Sequence, residues 1–230
     1  MAELVLVVGK SGSGKSTAGR NLDSKSTYWV NVDRKPLPFR GWKAKYSAEN
    51  KNYTKVSDIG TITGVLQALP KKLPHVKTVV IDTINRVMTD RVMKDRNIKG
   101  FDKWSNLAGG IYDILSFINS DNLPDDMTVF LLCHSEEGYT DNGVQYKKVT
   151  TSGKQLDKIC IESMSTVVLY TKVESKGEDG SNYYFETQSD GASTAKSPHG
   201  MFTDFLIPND MQLVKEAIYA YNHEEEAVTV

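Results

Sequence analysis

Five short apolar runs punctuate the chain, at residues 4–8, 28–32, 76–81, 128–133 and 165–173. Each has the length of a strand and is rich in β-branched side chains, and helical patterns or polar stretches fill several of the gaps. Apolar runs of this kind are buried on both faces, so the alternation predicts a mostly parallel sheet flanked by helices. A first helix is expected to start over residues 15–22. Residues 84–98 carry Val87, Met88, Arg91 and Val92 at helical spacing, and residues 107–118 place Ile111, Ile114, Leu115 and Ile118 on one stripe. Toward the end, residues 167–173 and 182–187 flank K-G-E-D-G-S, which predicts an antiparallel hairpin. Pro208 precedes a last helix at 211–221, followed by an acidic stretch at 224–226. Residues 135–154 are polar, contain glycine and have no period, so they read as a mobile functional loop.

At 230 residues the chain suits one α/β domain over 1–230, with the final helix and acidic tail at about 209–230. No apolar run approaches the ~20 residues that a membrane span needs, so no membrane partner is expected. Two cysteines, Cys133 and Cys160, make no disulfide framework, which suits a reducing cytoplasm. The histidines at 75, 134, 199 and 223 are scattered, which argues against zinc. Basic and acidic residues number 28 and 29, so any nucleic-acid contact must come from a local basic surface.

The chemistry sits first at residues 9–17, G-K-S-G-S-G-K-S-T. Gly9, Gly14, Lys15 and Ser16 match G-x-x-x-x-G-K-[ST] directly after an apolar strand, the setting this phosphate-binding loop requires. Glycines at 9, 12 and 14 let backbone amides approach phosphates without Cβ clashes, and Ser11, Ser13 and Thr17 complete the cradle. Lys15 should neutralise β- and γ-phosphate charge, Ser16 should ligate Mg2+, and the helix N-terminus should add partial positive charge. ATP with Mg2+ is the expected ligand.

Three further strand ends carry polar groups. T-V-V-I-D-T at 78–83 ends a buried strand on Asp82, which would orient the magnesium shell; capping the following helix is a compatible role for Asp82 or Thr83. Asp33, after W-V-N-V, is a candidate for polarising an attacking water or is a turn former before R-K-P-L-P. His134, after V-F-L-L-C, is a candidate γ-phosphate sensor or a structurally bonded histidine.

The loop, the D-T strand end, the His-ended strand with its polar loop, the hairpin and K-S-P-H-G-M-F at 196–202 resemble the RecA-like P-loop NTPase core. The likeness extends over roughly residues 3–205, and within that core it is to phage nucleotide-binding proteins of the RecA-like single-strand annealing (Sak-type) family. The resemblance implies an ATP-dependent, self-assembling protein that binds single-stranded DNA and promotes annealing in recombination, with a single-strand binding protein as a candidate partner. Carried over by position, 135–154 is the DNA-binding loop, with Lys147, Lys148 and Lys154 for phosphates and Tyr139 or Tyr146 for stacking. A solvated charged loop is the competing reading, since Glu136, Glu137 and Asp141 offset the lysines. Lys196 resembles the basic residue that such subunits extend toward a neighbour's nucleotide. RecA-like ATPases usually carry a glutamate just past the second strand, where this chain has Asp33-Arg34-Lys35, so turnover is expected to be slow. Two rival classes are a small-molecule P-loop kinase, with Asp33-Arg34 on substrate and Asp90-Arg91 and Asp95-Arg96 as lid, and a partition-type switch ATPase using Lys10.

Overall fold

A computed structural model describes residues 1–223. The element order begins with β1 (Glu3–Gly9), β2 (Thr27–Asn31), α1 (Trp42–Lys45), β3 (Tyr53–Thr54), α2 (Ile59–Lys72), β4 (Thr78–Asp82), α3 (Ile84–Lys94) and α4 (Asp102–Ile118). It continues with β5 (Thr128–Tyr139), β6 (Gln145–Val149), α5 (Lys154–Ile159), β7 (Val167–Ser175), β8 (Ser181–Glu186), β9 (Leu206–Pro208) and α6 (Met211–Asn222). The strands order as β3-β2-β4-β5-β1-β7-β8-β9 in one sheet, with β6 branching off this path to pair with β5. From β3 to β7 every neighbour is parallel, and β8 and β9 add an antiparallel margin. This is the mostly parallel sheet with a C-terminal hairpin that the apolar runs predict.

Side-chain alternation along each strand divides the core into two layers. Leu4, Leu6, Val8, Val79, Ile81, Val129, Leu131 and Cys133 face α2, α3 and α4, whereas Val5, Val7, Val80, Phe130 and Leu132 face Trp29, Tyr46 and α6. Both layers are closed to water, which is why these strands read as continuous apolar runs rather than alternating ones. All parallel strands therefore finish on one edge of the sheet, and the polar residues at their ends are delivered there together.

Two expectations are corrected. Residues 15–22 do not start an α-helix; Thr17–Asn21 forms a five-residue 3-10 turn. Gly19 and Asn21 are weak helix formers, and Gly19 is needed bare, because a Cβ there would lie 2.7 Å from the Trp29 ring. The loop thus gains little from a helix macrodipole. Residues 135–154 are not an aperiodic loop: β5 runs on to Tyr139 and turns into β6. Glu136 faces Lys148 and Glu137 faces Lys147 across this hairpin, so opposite charges lie in register. Gly143, at φ 75°, closes the turn. The boundaries of α3 and α4 also differ, since α3 stops at Lys94 and α4 begins already at Asp102. The acidic stretch at 224–226 lies outside the described residues.

Candidate functional site

β1 ends at Gly9 on the carboxyl edge, and residues 10–16 turn back over the strand end. Gly12 and Gly14 take φ of 78° and 93°, the left-handed region that glycine enters without strain. Gly9 must be bare for a different reason, because a Cβ there would fall 1.8 Å from Thr171 Oγ1. That hydroxyl donates to Ser13 Oγ at 2.7 Å, and Ser13 Oγ donates to the Lys10 carbonyl at 2.7 Å. β7 thereby braces the loop from behind. In front, Ser11, Gly12, Gly14, Lys15, Ser16 and Thr17 line a cleft of about 630 Å³, a volume suited to a small-molecule ligand. Asp33, Asp82 and His134 line the same cleft. Gly9 and Ser13 stand behind the loop instead, on a groove shared with Lys147 and Thr171.

Lys15 folds onto its own loop, with Nζ donating to the Gly9 and Lys10 carbonyls at 2.8 Å each. It is buried, and burial pulls its ammonium below the ordinary lysine value against the attraction of Asp82. A phosphate in the loop offers the same three donors a charged partner, which is the stronger bond.

Asp82 closes β4 and is 5 % exposed. Burial pushes its carboxyl from the ordinary 3.8 up to about 6, and the charge of Asp33 adds to the rise while the Ser16 hydroxyl and Lys15 oppose it. Thr83, not Asp82, takes the N-cap position of α3, and it makes no side-chain cap bond. A sealed carboxylate with so little compensation suits a cation. Among the described residues no group of three or more His, Cys, Asp or Glu could hold a metal, so the protein alone forms no cage. Magnesium does not require one: Ser16 and Asp82 would hold one side of a shell that phosphate oxygens and water complete. Bound there, the ion would neutralise phosphate charge.

The Val32 and Asp33 amides both donate to the Asp82 carbonyl, at 2.7 and 3.0 Å, which staples the ends of β2 and β4 together. The Asp33 carboxyl accepts from Thr83 Oγ1 at 3.2 Å and pairs with Lys35 at 3.3 Å. His134 donates its backbone N–H to Asn85 Oδ1 at 2.6 Å, and Asn85 Nδ2 donates to the Thr150 carbonyl at 2.7 Å. The His134 ring sits by the Gly9 backbone, and burial, then the charge of Lys15, holds its pKa below the ordinary value. Its surroundings thus favour the neutral imidazole.

The other candidates lie elsewhere. Lys147 turns inward, pairing with the buried Glu186 at 3.3 Å and standing 4.8 Å over the Tyr170 ring. Lys148 pairs with Glu136 and Asp157, at 3.2 and 3.1 Å. Lys154 is exposed at the start of α5, and Tyr139 is exposed beside the hairpin turn. Lys196 bridges to Val168 at the amino end of β7, so it stands on the opposite edge of the sheet from its own phosphate loop. Of the arginines of the kinase reading, Arg34 pairs with Asp90 and Arg91 with Asp95, while Arg96 donates to the Met93 carbonyl at 3.0 Å. Sequence reasoning missed Asn85, Tyr183 and Asn209. The last two line the cleft from β8 and from the residue after β9, and no local motif marks them.

A glycine loop closing a buried strand, with its lysine and serine facing an acid two strands away, defines a P-loop NTPase. The sequence profile of a family described as an AAA domain matches residues 2–199, and the chain belongs to that family. Among curated proteins no sequence matches significantly. Solved structures that match include a KaiC-like protein of the hyperthermophilic archaeon Pyrococcus horikoshii OT3, 16% identical, covering 80% of this chain and 76% of that one with a TM-score of 0.49.

Proposed function

We propose that the chain binds ATP with Mg2+ in this cleft and acts as a self-assembling RecA-like ATPase that binds single-stranded DNA and promotes annealing. The observation that carries the nucleotide part is the convergence of Lys15, Ser16 and Asp82 on one cleft beside two residues, Asp33 and His134, able to respond to a terminal phosphate. Turnover is slow in this reading, because the Asp33 carboxylate is already shared with Lys35 and Thr83.

The DNA part is supported by continuity. β5 passes His134 at the cleft and runs unbroken into the hairpin that carries Tyr139, Tyr146, Lys147 and Lys148. Lys10 of the phosphate loop also pairs with Glu137 of the hairpin at 2.7 Å. A nucleotide that moves the loop therefore acts on the hairpin directly. DNA phosphates would exchange with Glu136 and Asp157 for Lys148, while Lys154 offers an exposed cation. Lys196, remote from its own loop, serves a neighbouring subunit.

The test is an electrophoretic shift with single-stranded oligonucleotide at low salt, with and without ATP·Mg2+, alongside turnover. ATP-enhanced retention and DNA-stimulated hydrolysis are expected. Absence of single-strand affinity in both conditions refutes the DNA reading, and unchanged ATP affinity in Lys15→Ala refutes the nucleotide reading.

A further inference from the structure

The phosphate loop has two unlike flanks. On the side of β5, β4 and β2 stand His134, Asp82 and Asp33, all of them groups for phosphate and cation. On the side of β7, β8 and β9 stand Tyr183 and Asn209. Both reach the loop itself, for a Cβ on Gly14 would lie 3.0 Å from Tyr183 Cδ1 and from Asn209 Oδ1. Neither residue carries a charge, and neither has a place in the phosphate chemistry.

Asn209 is 3 % exposed, and its Nδ2 is sealed from solvent with no hydrogen-bond partner among the described residues. Leaving a buried amide donor unpaired costs about 1–3 kcal/mol, and because Asn209 lines the cleft, turning its amide toward a ligand there would relieve that cost. Its position is fixed from two sides. The Asn209 backbone amide donates to the Tyr183 carbonyl at 3.2 Å, which ties the two residues into one unit. Arg20, from the turn after the phosphate loop, donates to the Asn209 carbonyl at 2.8 Å and approaches Asp210 at 3.8 Å. Tyr183, by contrast, is 43 % exposed and presents a ring that stacks on no other aromatic side chain among the described residues.

We infer that this flank is the nucleoside subsite of the cleft: the Tyr183 ring packs on the base, and the Asn209 side-chain amide bonds its polar edge. An aromatic face tolerates any base, whereas an asparagine amide matches the paired donor and acceptor of adenine. Asn209 is therefore the specificity-determining residue, and Arg20 is a positioning residue that sets it. The inference rests on the proposed triphosphate site and extends it to the other end of the ligand.

The experiment compares ATP, GTP and inorganic tripolyphosphate by calorimetric titration in the presence of Mg2+, for the wild-type chain and for Tyr183→Ala, Tyr183→Phe and Asn209→Ala. The wild type should bind ATP at least about tenfold more tightly than tripolyphosphate, given what base–aromatic stacking contributes. Tyr183→Ala should remove most of that gap and Tyr183→Phe should restore it. Asn209→Ala should bring ATP and GTP together. All variants should keep wild-type tripolyphosphate affinity, which also shows that they are folded. Unchanged ATP affinity in both alanine variants, or equal loss of ATP and tripolyphosphate, overturns the nucleoside subsite alone. A wild-type chain that binds none of the three ligands overturns the triphosphate site and this inference together.

Discussion

Replacing Asp82 with asparagine should stabilise the ligand-free protein while destroying its response to Mg·ATP. The carboxyl is 5 % exposed, and its pKa rises from 3.8 to about 6 chiefly through burial. In the unfolded chain it loses its proton near the lower value, and in the folded chain near the higher. Between the two the folded state holds more protons, so Asp82 contributes stability that is complete below about pH 4 and lost as pH rises through 6. A shift of about two units at ~1.36 kcal/mol per unit amounts to roughly 3 kcal/mol. An asparagine side chain has nearly the same shape and no charge to desolvate. For a chain of this length the difference corresponds to roughly 6–12 °C in melting temperature. The assay is urea or thermal unfolding of both proteins from pH 4 to pH 8, read as the difference between them so that other titrating groups cancel. Wild type should fall behind Asp82→Asn progressively through the window and stay behind at pH 8. Saturating Mg·ATP should reverse the order at pH 7.5, because a bound ligand stabilises only the protein that holds it. A difference that stays flat, or favours the wild type as pH rises without ligand, would refute the reasoning.

Lys15→Ala should abolish ATP binding by titration and leave the ligand-free melting curve no lower than wild type, since it removes a charge that burial disfavours; a collapsed fold would contradict this. Gly9→Ala should destabilise by about 1–3 kcal/mol through overpacking against Thr171, and adding Thr171→Ala should recover part of the loss in urea melts. Lys147→Ala should cost about 1–3 kcal/mol by leaving the buried Glu186 with only the more distant Lys172, at 3.8 Å, whereas Lys148→Ala should cost under about 1 kcal/mol; equal effects would show that Lys147 is not held inward. Combining the two lysine substitutions should also flatten the salt dependence of single-strand binding in a filter assay, if the hairpin exchanges its acidic partners for DNA phosphates.

Which features are legible in the sequence depends on which signals are local. The parallel strands other than the two-residue β3 were legible because burial on both faces leaves unbroken apolar runs, and Asp82 was legible because a charged residue closing such a run must sit at the strand's end. The hairpin at β5 and β6 was missed even though E-E-G-Y-T-D-N-G-V-Q-Y-K-K writes two acids opposite two lysines around a D-N-G turn. Its polarity disguised it, since the alternation along that ribbon carries no apolar period. The packing of Trp29 against Gly19 after the loop is a contact of the folded chain that no local helix propensity encodes. Tyr183 and Asn209 reach the cleft through the antiparallel margin of the sheet, so only the topology reveals them.

The bond from Arg20 to the Asn209 carbonyl makes the cleft a joint between two stretches of chain that lie 189 residues apart. The family profile covers residues 2–199, which includes the whole of the phosphate grip and ends before the segment that bears Asn209 and α6. If the nucleoside subsite holds, the phosphate grip and Tyr183 lie within the matched span and Asn209 beyond it. On that reading, substitutions in the last segment would change nucleotide preference through a residue that packs directly on Gly14 of the loop.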